Sequence, residues 1–573
     1  MPYGMRAFAL LFIILLLGSG LGEVAASIET EKACVSSPLG LGPEAGQLEP
    51  GIYRLYYDGW DHLAELARSF DIWEVDPKAG SAVLALATSD AARLKARGYR
   101  LEPAEELAQR WRLGPPGYEC YRDVDELYTD LHEMATSHPT LTELLDYGDS
   151  WRKGQGLAGY DLWVLKLTNH QVQAPKPRFF LMANIHGREL TTPETAMYFA
   201  QYLLDNHGTD PDATWILDYH EIYIVVTANP DGRQLVEDSC YQRKNRNETL
   251  GACVRCDPWG IDQFGVDLNR NNPFHWGGAG DTPCGLTYQG TSAASEPETY
   301  YLNDLVRSLF PDQRPDDDGT PAPQDTTGLL ISLHSYGDLV LWPWGWTSTG
   351  APNETSLRTL GRKFAYWNDY GPEQASDLYP TTGDTTDWAY GELGIPAYTF
   401  ELGEFFYQSC SDLQQIMEEN LGALLYAAKV PGAPYSAPAG PDALGLSVLP
   451  AELAPGHPVE LEATIDDTRY SQANGLEPAQ NITAAAYYVD TPPWIATTAP
   501  ITYSMAAVDG NFGEVVEKVE ATIDTTGLSS GQHIIFVRGQ DADGQWGALS
   551  AVFFHIAEPP SFYIHLPLVI RDR

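Results

Sequence analysis

Positive charge is scarce in this sequence. Lys and Arg number 35 against 78 Asp and Glu, which leaves a formal net charge of −43. Nucleic acid and anionic membrane surfaces are thereby excluded as partners, because an acidic surface repels a polyanion. Long hydrophobic runs are scarce too. After residue 26 no segment offers the ~20 consecutive apolar residues that a membrane-spanning helix needs. Cysteine is sparse, at seven residues. Neither a second CxxC nor a nearby pair of histidines accompanies Cys253-Val254-Arg255-Cys256, so structural disulfides are a better reading of it than zinc or redox chemistry.

What is present is a globular composition, 43% hydrophobic, over 573 residues. That length predicts two to four domains with at least one large core. Arg6 precedes an apolar stretch over residues 7–17, and Val24-Ala25-Ala26-Ser27 follows, so residues 1–26 are expected to be a cleaved signal peptide and the protein to be secreted. Cysteines suit that oxidising setting. With Cys34 outside the main domain, an even six remain at 120, 240, 253, 256, 284 and 410, whose pairing the spacing does not reveal.

Texture divides the rest. Residues 48–112 read as a small α+β unit with the β-α-β-β-α-β order of ferredoxin-like folds. The run Arg110-Trp111-Arg112-Leu113-Gly114-Pro115-Pro116 reads as an exposed linker. Residues 118–430 alternate strand-length apolar runs with helical segments, which predicts an α/β domain with a mixed sheet and helices on both faces. Residues 435–558 carry short alternating strands and predict a β-sandwich of immunoglobulin or fibronectin type. Asp541-Ala542-Asp543-Gly544 within it reads as a turn. The apolar tail 559–573 is too short to span a membrane.

Four strands of the α/β region end in reactive side chains: at His186-Gly187-Arg188-Glu189, at Asn229-Pro230-Asp231-Gly232, at His334-Ser335-Tyr336 and at Glu401. Strand ends of such sheets are where ligands bind. His186 and Glu189, three apart on a strand-to-helix turn, can face one cation, and His334 supplies a third ligand. Two imidazoles and a carboxylate leave the open position that catalytic zinc requires. Thr192-Pro193-Glu194 is expected to cap and start the following helix.

Together these segments resemble the zinc carboxypeptidases of the pancreatic A and B and bacterial T kind, over roughly residues 118–430. His186-Gly187-Arg188-Glu189 looks like the family's metal motif, and Leu333-His334-Ser335-Tyr336 like that of the third ligand. Arg243 in Gln242-Arg243-Lys244-Asn245-Arg246 resembles the oxyanion-stabilising arginine. Gly265-Val266-Asp267-Leu268-Asn269-Arg270-Asn271 resembles the segment that grips the terminal carboxylate. Tyr379 resembles the mobile tyrosine, and Thr399-Phe400-Glu401-Leu402 the motif of the catalytic glutamate.

The resemblance implies an eight-stranded mixed sheet, one zinc ion per chain and peptide or protein C-termini as substrate. It implies Glu401 and Arg243 as catalytic groups and Asn269, Arg270, Tyr379 and Arg188 as substrate contacts. A guanidinium such as that of Arg270 suits a free carboxylate because it binds it bidentately. Thr386, just before Asp387-Trp388, and Asp384 stand at the base of the specificity pocket and imply broad side-chain acceptance. The 48–112 unit resembles the family's pro-domain, expected to cover the cleft until cut near Arg110 or Arg112. The β-sandwich is expected to attach or space a monomeric enzyme at a surface.

The sequence departs from the family pattern in an insertion at residues 247–263, in an acidic loop at 311–327, and in Gln242, where an aromatic is more usual, leaving the local packing open. Two other readings compete: a cell-wall peptidase of the same fold, which the intact Asn269-Arg270 and Tyr379 disfavour, and a non-catalytic binding protein, which the intact ligands and glutamate disfavour.

Overall fold

A computed structural model of the protein describes residues 49–113, 119–495 and 501–558. The expected leader, Cys34, residues 114–116 of the expected linker and the C-terminal tail lie outside them. Among the described residues no helix is long and apolar enough to cross a membrane.

The N-terminal unit has the expected element order. Strands β1 (Gly51–Tyr56), β2 (Ile72–Asp76), β3 (Ser81–Leu86) and β4 (Arg100–Pro103) form an antiparallel sheet in the order β2-β3-β1-β4, with the helices Trp60–Ser69 and Thr88–Ala96 in the crossovers. Strand β3 is buried along its whole length. Its period of two explains this. Ala82, Leu84 and Leu86 face the two helices, whereas Val83 and Ala85 join a second core with Trp73, Trp111, Phe405 and Phe406. The sheet is thus covered on both faces, by its own helices and by the α/β domain.

That domain holds β5 (Thr142–Asp149), β6 (Asp161–Leu167), β7 (Arg178–Met182), β8 (Glu221–Val225), β9 (Leu329–His334), β10 (Leu339–Trp342), β11 (Gly371–Gln374) and β12 (Ala397–Glu401). They form one sheet in the order β11-β10-β12-β9-β7-β8-β6-β5. The inner strands β12, β9, β7 and β8 run parallel; β6 and β10 run antiparallel to their inner neighbours. Parallel inner strands are apolar on both sides because helices cover both faces. Phe179 and Leu181 of β7 pack in one core, with the helices Thr191–Asn206 and Cys410–Lys429. Phe180 and Met182 pack in the other, with Pro297–Leu309 and Thr385–Leu393.

The C-terminal region adds a four-stranded and a five-stranded sheet that share a core including Val459, Leu461, Ile465, Ile535 and Phe554. Its first strand, Asp442–Leu449, escapes a sequence reading because a register shift between Leu444 and Ser447, with Gly445 at φ 58°, breaks the alternation. Phe536, Tyr488 and Ala551 join the core of the α/β domain. Arg362 donates to the carbonyls of Ser471, Ala473, Asn474 and Gly475, and Lys363 pairs with Asp442. Asp541 closes a turn, as expected, accepting from Gly544 N.

Two expectations are corrected here. Residues 110–113 are helix and not linker: they belong to the helix Glu105–Leu113, and Trp111 is completely buried. An indole gains more by entering an aromatic core than the flanking charges lose by lying beside it. Thr192 is not a helix cap either. The helix begins at Thr191 behind Leu190, and Thr192 Oγ1 instead accepts from Asn184 N and donates to Glu189 O. The hydroxyl thus braces the turn that carries Glu189.

Candidate active site

The parallel strands bring their carboxyl ends to one edge. Register places Glu401 of β12 directly beside His334 of β9. Beyond β7 the chain turns sharply through Asn184, at φ 53°, whose Nδ2 donates to the carbonyls of His186, Gly187 and Glu189. Gly187 is required there, since a Cβ would lie 2.6 Å from the carbonyl carbon of Gly232. This braced turn aims His186 and Glu189 at His334.

The three ligand atoms lie within 4.8 Å of one another, all buried. His186 Nδ1 is 2.6 Å from Glu189 Oε1, and His334 Nδ1 is 3.3 Å from Glu189 Oε2. Two ring nitrogens and a carboxylate turned inward are all lone-pair donors, and a shared cation satisfies them together. His186 Nε2 faces Asp267 Oδ1 at 3.1 Å, the carboxylate backing that orients a metal-binding imidazole. The residues present therefore fit a zinc ion. Burial opposes the charge on Glu189, yet the imidazoles of His186 and His334 hold it well below the usual carboxylate range.

Across from this cluster, burial pushes the Glu401 carboxyl up to about 7, with His334 opposing and Glu189 reinforcing the rise. Arg243 lines the same pocket. Its Nη2 and Nε donate to Asp267 Oδ2 at 2.9 and 3.1 Å, and its Nη1 is 3.3 Å from His186 Nδ1. Burial disfavours its charge, but Asp267 and Asp71 more than compensate and keep it protonated. Gln242 leaves no packing defect, because its buried Nε2 serves the carbonyls of Lys244, Asn245 and Phe264.

The remaining candidates line the same pocket: Arg188, Asn269, Arg270, Tyr379, Asp384 and Thr386. Asn269 turns its Oδ1 to the N and Oγ1 of Thr385 at 3.0 and 3.2 Å, which leaves its NH2 to face a carboxylate. Asp384 caps the helix Thr385–Leu393 through Asp387 N and accepts from the hydroxyls of Thr381 and Thr386, so its oxygens are already engaged. All eleven candidate residues gather in one cleft.

The deciding comparison concerns the whole domain. The family described as zinc carboxypeptidase matches residues 127–423, just over half of the chain. The chain belongs to the zinc carboxypeptidase family. It is 31% identical over 304 residues to a zinc carboxypeptidase of Saccharothrix mutabilis subsp. capreolus and 30% identical over 296 residues to carboxypeptidase A1 of Bos taurus. Each match covers 50% of this chain and 63% of the relative, so the chain spans under two thirds of the length of these curated relatives. The crystal structure of carboxypeptidase A from Helicoverpa armigera superposes with a TM-score of 0.52 at 22% identity, over 67% of this chain and 99% of that one. This likeness shows the zinc carboxypeptidase fold.

Sequence reasoning missed the groups that the N-terminal unit adds. Asp71, Ile72 and Trp73 line the pocket beside Arg243, Arg270 and Glu401. The Asp71 carboxylate pairs with Arg188 Nη2, lies 3.4 Å from Arg243 Nη1 and accepts from Trp73 Nε1 at 2.9 Å. Burial opposes its charge, yet the two guanidiniums hold it below the usual carboxylate range. Arg188 also stacks on Phe406 at 4.0 Å, Tyr336 donates to Glu74, and Tyr379 packs against the core of the N-terminal unit. Nothing in the local sequence marks Asp71, because the two guanidiniums it pairs with lie more than a hundred residues away. Asp267 was legible only as part of the segment around Asn269 and Arg270.

Proposed function

We propose that the protein is a zinc-dependent metallocarboxypeptidase that hydrolyses the C-terminal peptide bond of peptides and proteins. The observation that carries this reading is the meeting of His186, Glu189 and His334 at the strand edge where His334 and Glu401 are register partners. One zinc ion held by those three residues supplies Lewis acidity for the scissile carbonyl and the attacking water. Glu401, whose carboxyl burial pushes upward, is suited to taking a proton from water and returning it to the leaving amine. Arg243, kept cationic and fixed by Asp267, faces the developing oxyanion, a role worth about 3 kcal/mol. Arg270 and the Asn269 amide take the substrate's terminal carboxylate, Tyr379 closes over it, and Arg188 positions the residue upstream. The polar base formed by Thr386 and Asp384 supports broad side-chain acceptance.

The N-terminal unit acts as a pro-domain, with Asp71 occupying the arginines that substrate needs. The chain is exported and works as a monomer, and the C-terminal β-sandwich, of immunoglobulin or fibronectin type, serves surface attachment or spacing. The test is release of free amino acids from unblocked peptides by the processed protein, with and without a zinc chelator, beside Glu401→Gln. Chelator-resistant hydrolysis, or a fully active glutamine variant, refutes the mechanism.

A further inference from the structure

The connection between the N-terminal unit and the catalytic domain is anchored by three consecutive side chains, each on an aromatic ring of the catalytic domain. Arg110 lies over Phe405 at 4.5 Å, Trp111 stacks on Tyr241 at 3.9 Å, and Arg112 lies over Trp259 at 5.0 Å. Phe406 meets Trp111 edge-on at 5.9 Å, and Trp73 packs against it at 4.8 Å. Polar groups fix the same helix end. Arg110 donates to Gln408 Oε1 at 3.0 Å, Tyr407 donates to Arg110 O at 3.0 Å, Tyr241 donates to Trp111 O, and Trp111 Nε1 donates to Pro258 O at 3.4 Å.

Much of this wall is the 247–263 insertion and the residues just before it. Disulfides Cys240–Cys256 and Cys253–Cys284 tie it down. At Gly260, φ 64°, a Cβ would stand 3.0 Å from Tyr241 Cβ and 3.1 Å from the Trp111 ring, so a side chain there would be strained by the positive φ and would press on the indole. Gln263 joins the wall to the catalytic cleft: its Nε2 donates to the carbonyls of Tyr241 and Gly260, and its Oε1 accepts from Arg243 N at 2.8 Å.

We propose that this disulfide-tied insertion is a socket whose partner is the Arg110-Trp111-Arg112 end of the helix Glu105–Leu113, and that it retains the N-terminal unit independently of Asp71. The inference rests on the reading of that unit as the cover of the active site. Aromatic burial with cation–π contact on both flanks is a strong anchor. A protease needs an extended segment, so the peptide bonds after Arg110 and Arg112 become cleavable only once Trp111 has left the socket.

The test is limited trypsin digestion of the full-length chain, with cut sites read by mass spectrometry and peptidase activity measured in parallel. Trp111→Ala is expected to speed cleavage after Arg110 and Arg112 by more than about tenfold, since cleavage follows the population of the open form. Tyr241→Leu, which opens the socket from the other side, should do the same, and Trp111→Phe should keep most of the protection. Asp71→Asn should raise peptidase activity while leaving those two bonds protected. Wild-type cleavage rates in folded Trp111→Ala and Tyr241→Leu overturn the socket. Fast cleavage in both, with no activation by Asp71→Asn, leaves the socket standing and overturns the active-site cover instead.

Discussion

Replacing Asp71 by Asn removes one negative charge from a buried contact with two guanidiniums, and the structure allows the effect on the intact chain to be sized. Arg243 keeps Asp267 as a partner. Arg188 does not: Asp71 is its acid partner among the described residues, and its Nε and Nη1 make no hydrogen bond there. Breaking a buried ion pair by removing one partner costs about 3–5 kcal/mol, because the other charge stays buried and unpaired. Opening the cleft lets water and substrate reach Arg188, so the cost falls on the closed form alone. At 3 kcal/mol the closed-to-open ratio drops by about a hundredfold. Activity of the uncut chain then rises by up to that factor, with the freely accessible enzyme as its ceiling. The assay is hydrolysis of an N-blocked dipeptide by full-length protein whose integrity is confirmed by mass spectrometry before and after. If Asp71→Asn is no more active than the unaltered chain, while Glu401→Gln abolishes what activity there is, the electrostatic plug is refuted.

Other perturbations follow from the same site and its surroundings. A metal dication beside Glu401 lowers the pKa that burial raises, so the acid limb of kcat/KM should fall at or below pH 7; a limb well above 7 would place the base elsewhere. Arg270→Lys exchanges a bidentate fork for a point charge and should raise KM for peptides bearing a free C-terminus by at least about tenfold, measured against a C-terminally amidated control. Burial lifts Glu298 to about 8, beside Asp231 and Glu296. Since an unfolded glutamate titrates near 4.3, the folded state binds the extra proton between about 4.3 and 8. Stability from this group is complete below that window and is lost as pH climbs through it. The fall in melting temperature between pH 5 and pH 8 should therefore be smaller in Glu298→Gln than in the unaltered protein, and an identical fall in the two counts against the shift. Arg362→Ala removes the buried guanidinium that four carbonyls share at the seam with the C-terminal sheets and should cost about 1–3 kcal/mol; unchanged melting would mean that these bonds add nothing to the seam.

Some of this was legible residue by residue. Phe179–Ile185 and Leu329–Leu333 read as apolar strands because apolar side chains on both faces are a local property of the chain. Their reactive ends at His186, Glu189, His334 and Glu401 read as one site because parallel strands deliver their carboxyl ends to a common edge. The strand Asp442–Leu449 did not read, because its bulge erases the period of two. Trp111 was misread for a related reason: flanked by two arginines and followed by Gly-Pro-Pro, it has the composition of a surface linker. Only the distant rings of Tyr241, Phe405 and Phe406 make burial favourable.

Alone, the sequence determined the chemistry, since ligand type, motif spacing and strand periodicity are written in short stretches of chain. Tertiary structure decided access to that chemistry. It set Asp71 between Arg188 and Arg243, closed Trp111 in an aromatic socket, and merged one face of the C-terminal sheets with the catalytic core. Such contacts join residues tens to hundreds of positions apart, and their energy comes from desolvation and charge pairing that no local pattern encodes.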